Sequence, residues 1–183
     1  EQLAEDHNVF VASRTSESLV GKNCTHIPYD VMSQELDVSL LPELHGFVYC
    51  PGSINLRPFK GLKPETFQAD FDLNVIGAIK SLQALGKNLQ ATTHASVVFY
   101  STVAVQTGMP FHASVAAAKG ALEGLTRSLA AEWAPKIRVN CIAPSLVNTP
   151  LADKFLNNEA KMEKAGERHP LQRVGTAKEI AEA

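Results

Sequence analysis

Short apolar, β-rich runs alternate along this chain with longer stretches in which apolar residues return every three or four positions. The runs are 8–12 (NVFVA), 24–29 (CTHIPY), 46–50 (GFVYC), 97–100 (VVFY) and 137–142 (IRVNCI). Each is strand-length, and polar, Gly or Pro residues follow: Ser13-Arg14-Thr15, Asp30, Pro51-Gly52, Ser101-Thr102 and Pro144. Two stretches carry the helical period. Residues 70–89 place Phe71, Val75, Ala78, Ile79, Leu82 and Leu85 on one face, and 114–133 do the same with Val115, Ala118, Leu122, Leu125, Leu129 and Trp133. Residues 1–6 read as the last turns of a helix, and another helix starts near Thr176. Strands alternating with helices predict a doubly wound α/β fold, a parallel sheet with right-handed crossovers and helices on both faces. Ligands bind such sheets beyond the carboxyl ends of the strands, where the hydroxyl pair Ser101-Thr102 falls. With no repeat, low-complexity tract or linker, residues 1–183 are expected to form one domain.

The composition is that of a globular chain of 183 residues, 45% hydrophobic and 20% charged. A net charge of −2 gives no general attraction to nucleic acid or to an anionic membrane, and no apolar run is long enough to span a bilayer. EQLAEDHNVF is not a secretory signal pattern. Cys24, Cys50 and Cys141 lack CxxC spacing and an even count, so free thiols in the cytoplasm are expected and no metal site.

The residues from 97 to 150 add a specific pattern: Ser101-Thr102, then AAAKGALEGLTRSLAAE, then IRVNCIAPSLVNTPL. In this order the chain resembles the short-chain dehydrogenase/reductase family, in its 3-oxoacyl-acyl-carrier-protein-reductase-like form. That family sets a Ser thirteen residues before a Tyr and a Lys four after it. Counted back from Lys119, those positions hold Thr102 and Val115. The resemblance implies a Rossmann-like domain. It also implies a first strand and a Gly-rich phosphate loop before residue 1, and a last strand after 183. Because the first strand lies between the second and fourth, a gap of roughly 10 Å is expected between strands 8–12 and 46–50. The chain thus reads as part of a longer polypeptide, incomplete at both ends.

The same resemblance suggests site residues. Arg14 follows a strand where a basic side chain grips the 2′-phosphate of NADP, making NAD the less expected cofactor. Asp30 and Val31 match the adenine position, and Cys50-Pro51-Gly52 the segment beside the ribose, of which only the glycine is retained. Asn74 matches an Asn of the proton relay, Thr102 a hydroxyl that orients the substrate carbonyl, and Lys119 the amine that holds the nicotinamide ribose. Pro144, Val147 and Thr149 match the segment facing the carboxamide and phosphate. Val115 has no ionisable proton, and His112, three residues earlier, is the candidate substitute donor. The expected function is an NADP-dependent oxidoreductase of a small carbonyl or alcohol, with a degenerate active site. The alternative is an inactive NADP-binding sensor or oligomer partner. Homodimers or homotetramers are expected to form through helices 70–89 and 115–133, whose Ala/Gly-rich faces suit close packing.

Overall fold

The computed structural model describes residues 2–183, so of the predicted N-terminal helix only Glu1 lies outside the described residues. After α1 (Leu3–Asp6), β1 (Phe10–Ser13) pairs in parallel with β2 (Thr25–Pro28). β3 (Gly46–Tyr49), β4 (Ala95–Tyr100) and β5 (Ile137–Ile142) form a second parallel sheet in that order. Every strand predicted from the hydrophobic pattern is present within a residue or two, and every pairing is parallel. β1 and β3 lie in separate sheets, as the expected interruption between them requires.

The core sits on β4. Ala95, Val97 and Phe99 are at most 1% exposed, because alternate side chains of a strand share one face. From α3 (Gly77–Gln90), Ala78, Leu82, Leu85 and Leu89 pack into the same cluster, at helical spacing. Leu122 joins them from α5 (Ala113–Trp133), the longest helix.

The predicted helix 70–89 differs from the observed one in two ways. It begins earlier, as α2 (Pro64–Phe71), with Pro64 in the first turn, where its fixed φ suits a helix and no N–H is needed. It is also not uniform, since a π-helical turn, Asp72–Ile76, separates α2 from α3. A wider turn disturbs the usual ladder of carbonyl partners, and here the Asn74 side-chain Nδ2 donates to the Asp70 carbonyl at 2.7 Å. Just beyond, a Cβ on Gly77 would stand 2.7 Å from Val31 Cγ2 and would also meet the Tyr49 hydroxyl. Only glycine lets the ends of β2 and β3 approach the helix this closely.

The sequence pattern does not reveal α4 (Ala104–Thr107), a single turn between β4 and α5. After β5 come β6 (Val147–Asn148), α6 (Asp153–Leu156) and α7 (Glu159–Gly166), then β7 (Gly175–Thr176), which pairs with β6. Ala152, Leu156 and Val174 give this segment its own small apolar cluster. Lys154 Nζ donates to the Ile54 carbonyl at 2.9 Å, tying α6 to the loop after β3. The expected C-terminal helix is α8 (Ala177–Ala181), started by a capping box between Thr176 and Glu179.

Candidate functional site

Parallel pairing puts the carboxyl ends of all strands in a sheet on one edge. At the β3–β4–β5 edge the three following loops are held side by side. Ser101 N donates to Ile142 O at 2.7 Å and Val103 N to Pro144 O at 3.2 Å, so Thr102 and Pro144 emerge together. Thr102 Oγ1 accepts from Ala104 N at 3.3 Å, leaving the hydroxyl proton free to be donated.

Lys119 enters this edge from α5, one turn after Val115 on the same face, and the two residues are 8% and 6% exposed. A Cβ built on Gly52 would stand 3.5 Å from Asn74 Oδ1 and 3.6 Å from Lys119 Nζ. A loop, a π-helical turn and a helix therefore bring Gly52, Asn74 and Lys119 to one point. Asn74 is fully buried, and its Oδ1 has no hydrogen-bond partner among the described residues. Burial pushes the Lys119 amine down from 10.5 to about 8, partly opposed by the Cys141 and Cys50 thiols.

The remaining predicted residues are placed less closely. Arg14 is exposed at the end of β1, on the same edge as Asp30 and Val31 beyond β2, with Tyr29 N donating to Ser13 O at 3.0 Å between them. Asp30 Oδ1 accepts from Met32 N at 3.0 Å, a bond within its own turn, and Val31 is buried against the Gly77 position. Cys50 is exposed as a residue, while burial around its sulfur pushes the thiol up and the Lys119 charge opposes this. Pro51 is half-buried beside it. Val147 is committed to the β6–β7 pairing, and Thr149 O accepts from Ala152 N at 2.9 Å. His112 is the residue before α5 and does not cap it with its side chain; its Nδ1 lies 2.7 Å from Pro110 O. Among the described residues no group of three His, Cys, Asp or Glu side chains is placed to hold a metal ion, and no helix is long and apolar enough to cross a membrane.

Two tyrosines near strand ends could be considered as proton donors, and neither suits that task. The Tyr49 hydroxyl donates to Leu73 O at 2.6 Å, and burial, with a smaller contribution from Tyr29, raises its pKa far above the ordinary value. Burial also raises Tyr100. Sequence reasoning missed four polar residues around the site. Ser101 Oγ donates to the buried Glu123 carboxylate at 2.6 Å, and the buried Asp70 carboxylate accepts from the half-buried Ser53 and Asn55 side chains. Glu123 stands four residues after Lys119 and Asp70 four before Asn74, so helical spacing was the available signal for both. For Ser53 and Asn55 there was none.

A family profile described as enoyl-(acyl carrier protein) reductase matches residues 30–183. The chain belongs to the short-chain dehydrogenase/reductase family. The peroxisomal 2,4-dienoyl-CoA reductase of Saccharomyces cerevisiae is 35% identical over 126 residues, which are 68% of this chain and 43% of that protein. The chain thus matches less than half the length of this relative. Among solved structures, one described as a short chain dehydrogenase/reductase family protein superposes with TM-score 0.86 at 26% identity, covering 99% of this chain and 78% of that one. ElxO, solved with NADP bound, gives TM-score 0.87 at 24% identity over 99% of this chain and 81% of its own.

In this short-chain dehydrogenase/reductase chain, the point where Gly52, Asn74 and Lys119 meet suits a sugar diol. The amine can donate, the buried Asn74 Oδ1 can accept, and Gly52 offers a backbone with no side chain to obstruct approach.

Proposed function

We propose that the chain is the nucleotide-binding and reacting part of an NADP-dependent oxidoreductase, interconverting a small carbonyl compound and its secondary alcohol. The observation that carries this reading is the buried Lys119 amine, which lies, like Asn74 Oδ1, beside Gly52 at the strand-end edge. Lys119 would hold the ribose hydroxyls. Arg14 would take the 2′-phosphate, with Asp30 and Val31 at the adenine. Cys50, Pro51 and Gly52 would flank the ribose, and Pro144, Val147 and Thr149 would face the carboxamide and phosphate. When bound, NADPH supplies the hydride, as it suits a family in which ElxO is solved with NADP. Thr102 would donate its hydroxyl to the substrate oxygen.

The proton must come from elsewhere than Val115. A carbonyl oxygen only accepts, so Pro110 O assigns the neutral ring's proton to Nδ1; the donor in carbonyl reduction would be the imidazolium, which carries its second proton on Nε2 and is recharged there from solvent. Full-length protein is expected to quench and shift NADPH fluorescence on binding and to reduce at least one member of an aldehyde and ketone panel. His112→Ala is then expected to lower turnover by about 10²-fold with NADPH affinity unchanged. Failure to bind NADPH overturns the nucleotide reading, and an unaffected His112→Ala enzyme removes His112 as donor.

Val115 itself favours a second reading, in which nucleotide binds without turnover and the protein serves as a sensor or oligomer partner. Stoichiometric NADPH binding with no oxidation across the panel would select it. Self-association is supported by an apolar groove between α2 and α5, lined by Phe59, Phe67, Phe71 and Ala117, with Phe59 75% exposed. This face is shifted toward 64–71 from the predicted pairing surface of 70–89 and 115–133. Replacing Phe59 and Phe71 together by Asp is expected to convert a dimer or tetramer into monomer by light scattering, and an unchanged mass would move the interface elsewhere. Free Cys24, Cys50 and Cys141 fit a cytoplasmic protein, which fractionation of cells expressing the full chain would test.

A further inference from the structure

Lysine is seldom buried, and this chain buries one. Lys119 is 8% exposed, whereas every other lysine of the chain is exposed. A buried ammonium is ordinarily held by a carboxylate or by carbonyl oxygens. Among the described residues Lys119 has no hydrogen bond and no ion pair. Glu123, one turn later on α5, is engaged by Ser101 Oγ at 2.6 Å and by Arg127 at 3.8 Å. Val115, one turn earlier on the same face, has nothing to donate or accept. The titratable groups that face the amine are the Cys141 thiol of β5 and the Cys50 thiol after β3, both pushed up by burial and so uncharged at neutral pH.

The amine also has a recess in front of it. Its Nζ lies 3.6 Å from the point a Cβ on Gly52 would occupy, and glycine leaves that point empty. Apart from Gly52 and its chain neighbours, only Lys119 Nζ and Asn74 Oδ1 come within 4 Å of it. Asn74 Oδ1, at 3.5 Å from the same point, is an acceptor with no partner among the described residues. Burial lowers the amine to about 8, so at pH 7 about one molecule in ten carries a free lone pair there, against about one in three thousand for a lysine at 10.5. A buried, unpaired and partly neutral amine beside an open point is the arrangement of a nitrogen nucleophile.

We propose that Lys119, in the nucleotide-free protein, captures small aldehydes as an imine at the Gly52 recess. The neutral nitrogen adds to the carbonyl carbon, an N–C bond forms, and the carbonyl oxygen becomes the hydroxyl of a carbinolamine, placed where Asn74 Oδ1 can accept from it. That oxygen then leaves as water with the two protons the amine gives up, and the N–C bond becomes double. Nothing is oxidised or reduced, no co-reactant is needed, and water reverses the step. Aldehydes suit the recess better than ketones, because only one substituent has to pass between Gly52 and α5. The capture stands on the surroundings of Lys119 and does not require that the chain bind nucleotide. Where nucleotide binds, ribose and aldehyde compete for one amine.

Full-length, nucleotide-free protein treated with butanal and cyanoborohydride tests this. The reductant fixes an imine as a stable secondary amine and leaves thiol adducts reversible, and peptide mass spectrometry maps the alkylated lysines. At pH 7 Lys119 is expected to react at least about tenfold faster than any exposed lysine, because its larger neutral fraction outweighs the weaker nucleophilicity of a less basic amine. Its rate should rise with pH to about 8 and then level, while the exposed lysines keep gaining rate toward 10.5. Gly52→Ala puts a methyl group at ordinary contact distance from both neighbours, and is expected to slow Lys119 by about tenfold without changing the exposed lysines. Alkylation of Lys119 no faster than that of exposed lysines overturns the proposal, and so does a folded Gly52→Ala variant that reacts at the parent rate. Should Gly52→Ala not fold, the parent's ratio at pH 7 decides. NADP⁺ is expected to protect Lys119 by at least about tenfold. Fast alkylation that bound NADP⁺ does not slow leaves the imine standing and removes the ribose-anchor role, and if the parent binds no NADP⁺ the alkylation ratio still decides.

Discussion

Lys119→Met is expected to make the protein more stable at pH 7 while it removes nucleotide binding. Burial holds the Lys119 amine at about 8 in the folded chain, against 10.5 for the free side chain. Between those values the unfolded chain binds more protons than the folded one, so stability rises with pH across that window. Below pH 8 both states are charged and folding carries the whole cost of burying the ammonium, on the order of 3 kcal/mol at about 1.4 kcal/mol per pH unit. Methionine fills a similar unbranched volume without that charge. The variant's advantage in urea denaturation should therefore be full at pH 7, shrink above pH 8 and level off near 10.5. A destabilised variant at pH 7 would mean that the amine is satisfied by a partner the fold supplies, and the anchor role would lose its physical basis. The same substitution deletes a charged donor to the ribose, and NADPH affinity should fall by at least about tenfold. Gain in stability with loss of binding is the signature of a group kept for function against the interest of folding.

The fold was legible because the strands are short, apolar and closed by turn residues, and because Leu82, Leu85 and Leu89 or Leu122 and Leu125 recur at helical spacing around β4. What escaped the pattern had non-local causes. The π-helical turn coincides with Asn74 reaching the Asp70 carbonyl and Ser53, and a period count cannot register a side-chain bond at the ladder. α4 is a single turn whose four residues carry too little periodicity. In the site, Lys119, Asn74 and Gly52 were nameable from the motif order, but their meeting at one point comes from the fold. Asp70 was within sight, four residues before Asn74, and went unnoticed because an acidic residue near a helix end is usually solvated; its burial comes from the loop at Ser53 and Asn55 folding over it. Ser101 was read only as Thr102's neighbour, yet strand alternation turns it inward to Glu123, while Thr102 remains half-buried at the edge.

In the His112→Ala background, where no general acid remains, Val115→Tyr is expected to raise carbonyl reduction by about 10² to 10⁴-fold, the usual worth of a well-placed general acid. The position has what a phenol would need. It lies one turn from Lys119 on the same face, and an ammonium that close stabilises the phenolate and brings the phenol's pKa down toward neutrality. The amine at about 8 is still mostly protonated at pH 7, so this help is present under ordinary assay conditions and fades as pH rises past 8. Tyr49 and Tyr100 cannot take the role, since burial moves both in the wrong direction and Tyr49 already donates to Leu73 O. Val115→Phe is the control, adding the ring without the hydroxyl. Both larger side chains must find room at a position 6% exposed, so a loss common to the two variants reports packing, and the difference between them reports the proton. If Val115→Tyr binds NADPH but turns over no faster than Val115→Phe, then Thr102, Lys119 and Asn74 do not make up a reductase site awaiting only its acid. The nucleotide-binding, non-catalytic reading would then account for Val115, because a chain with no alkoxide to protonate has no use for a phenol there.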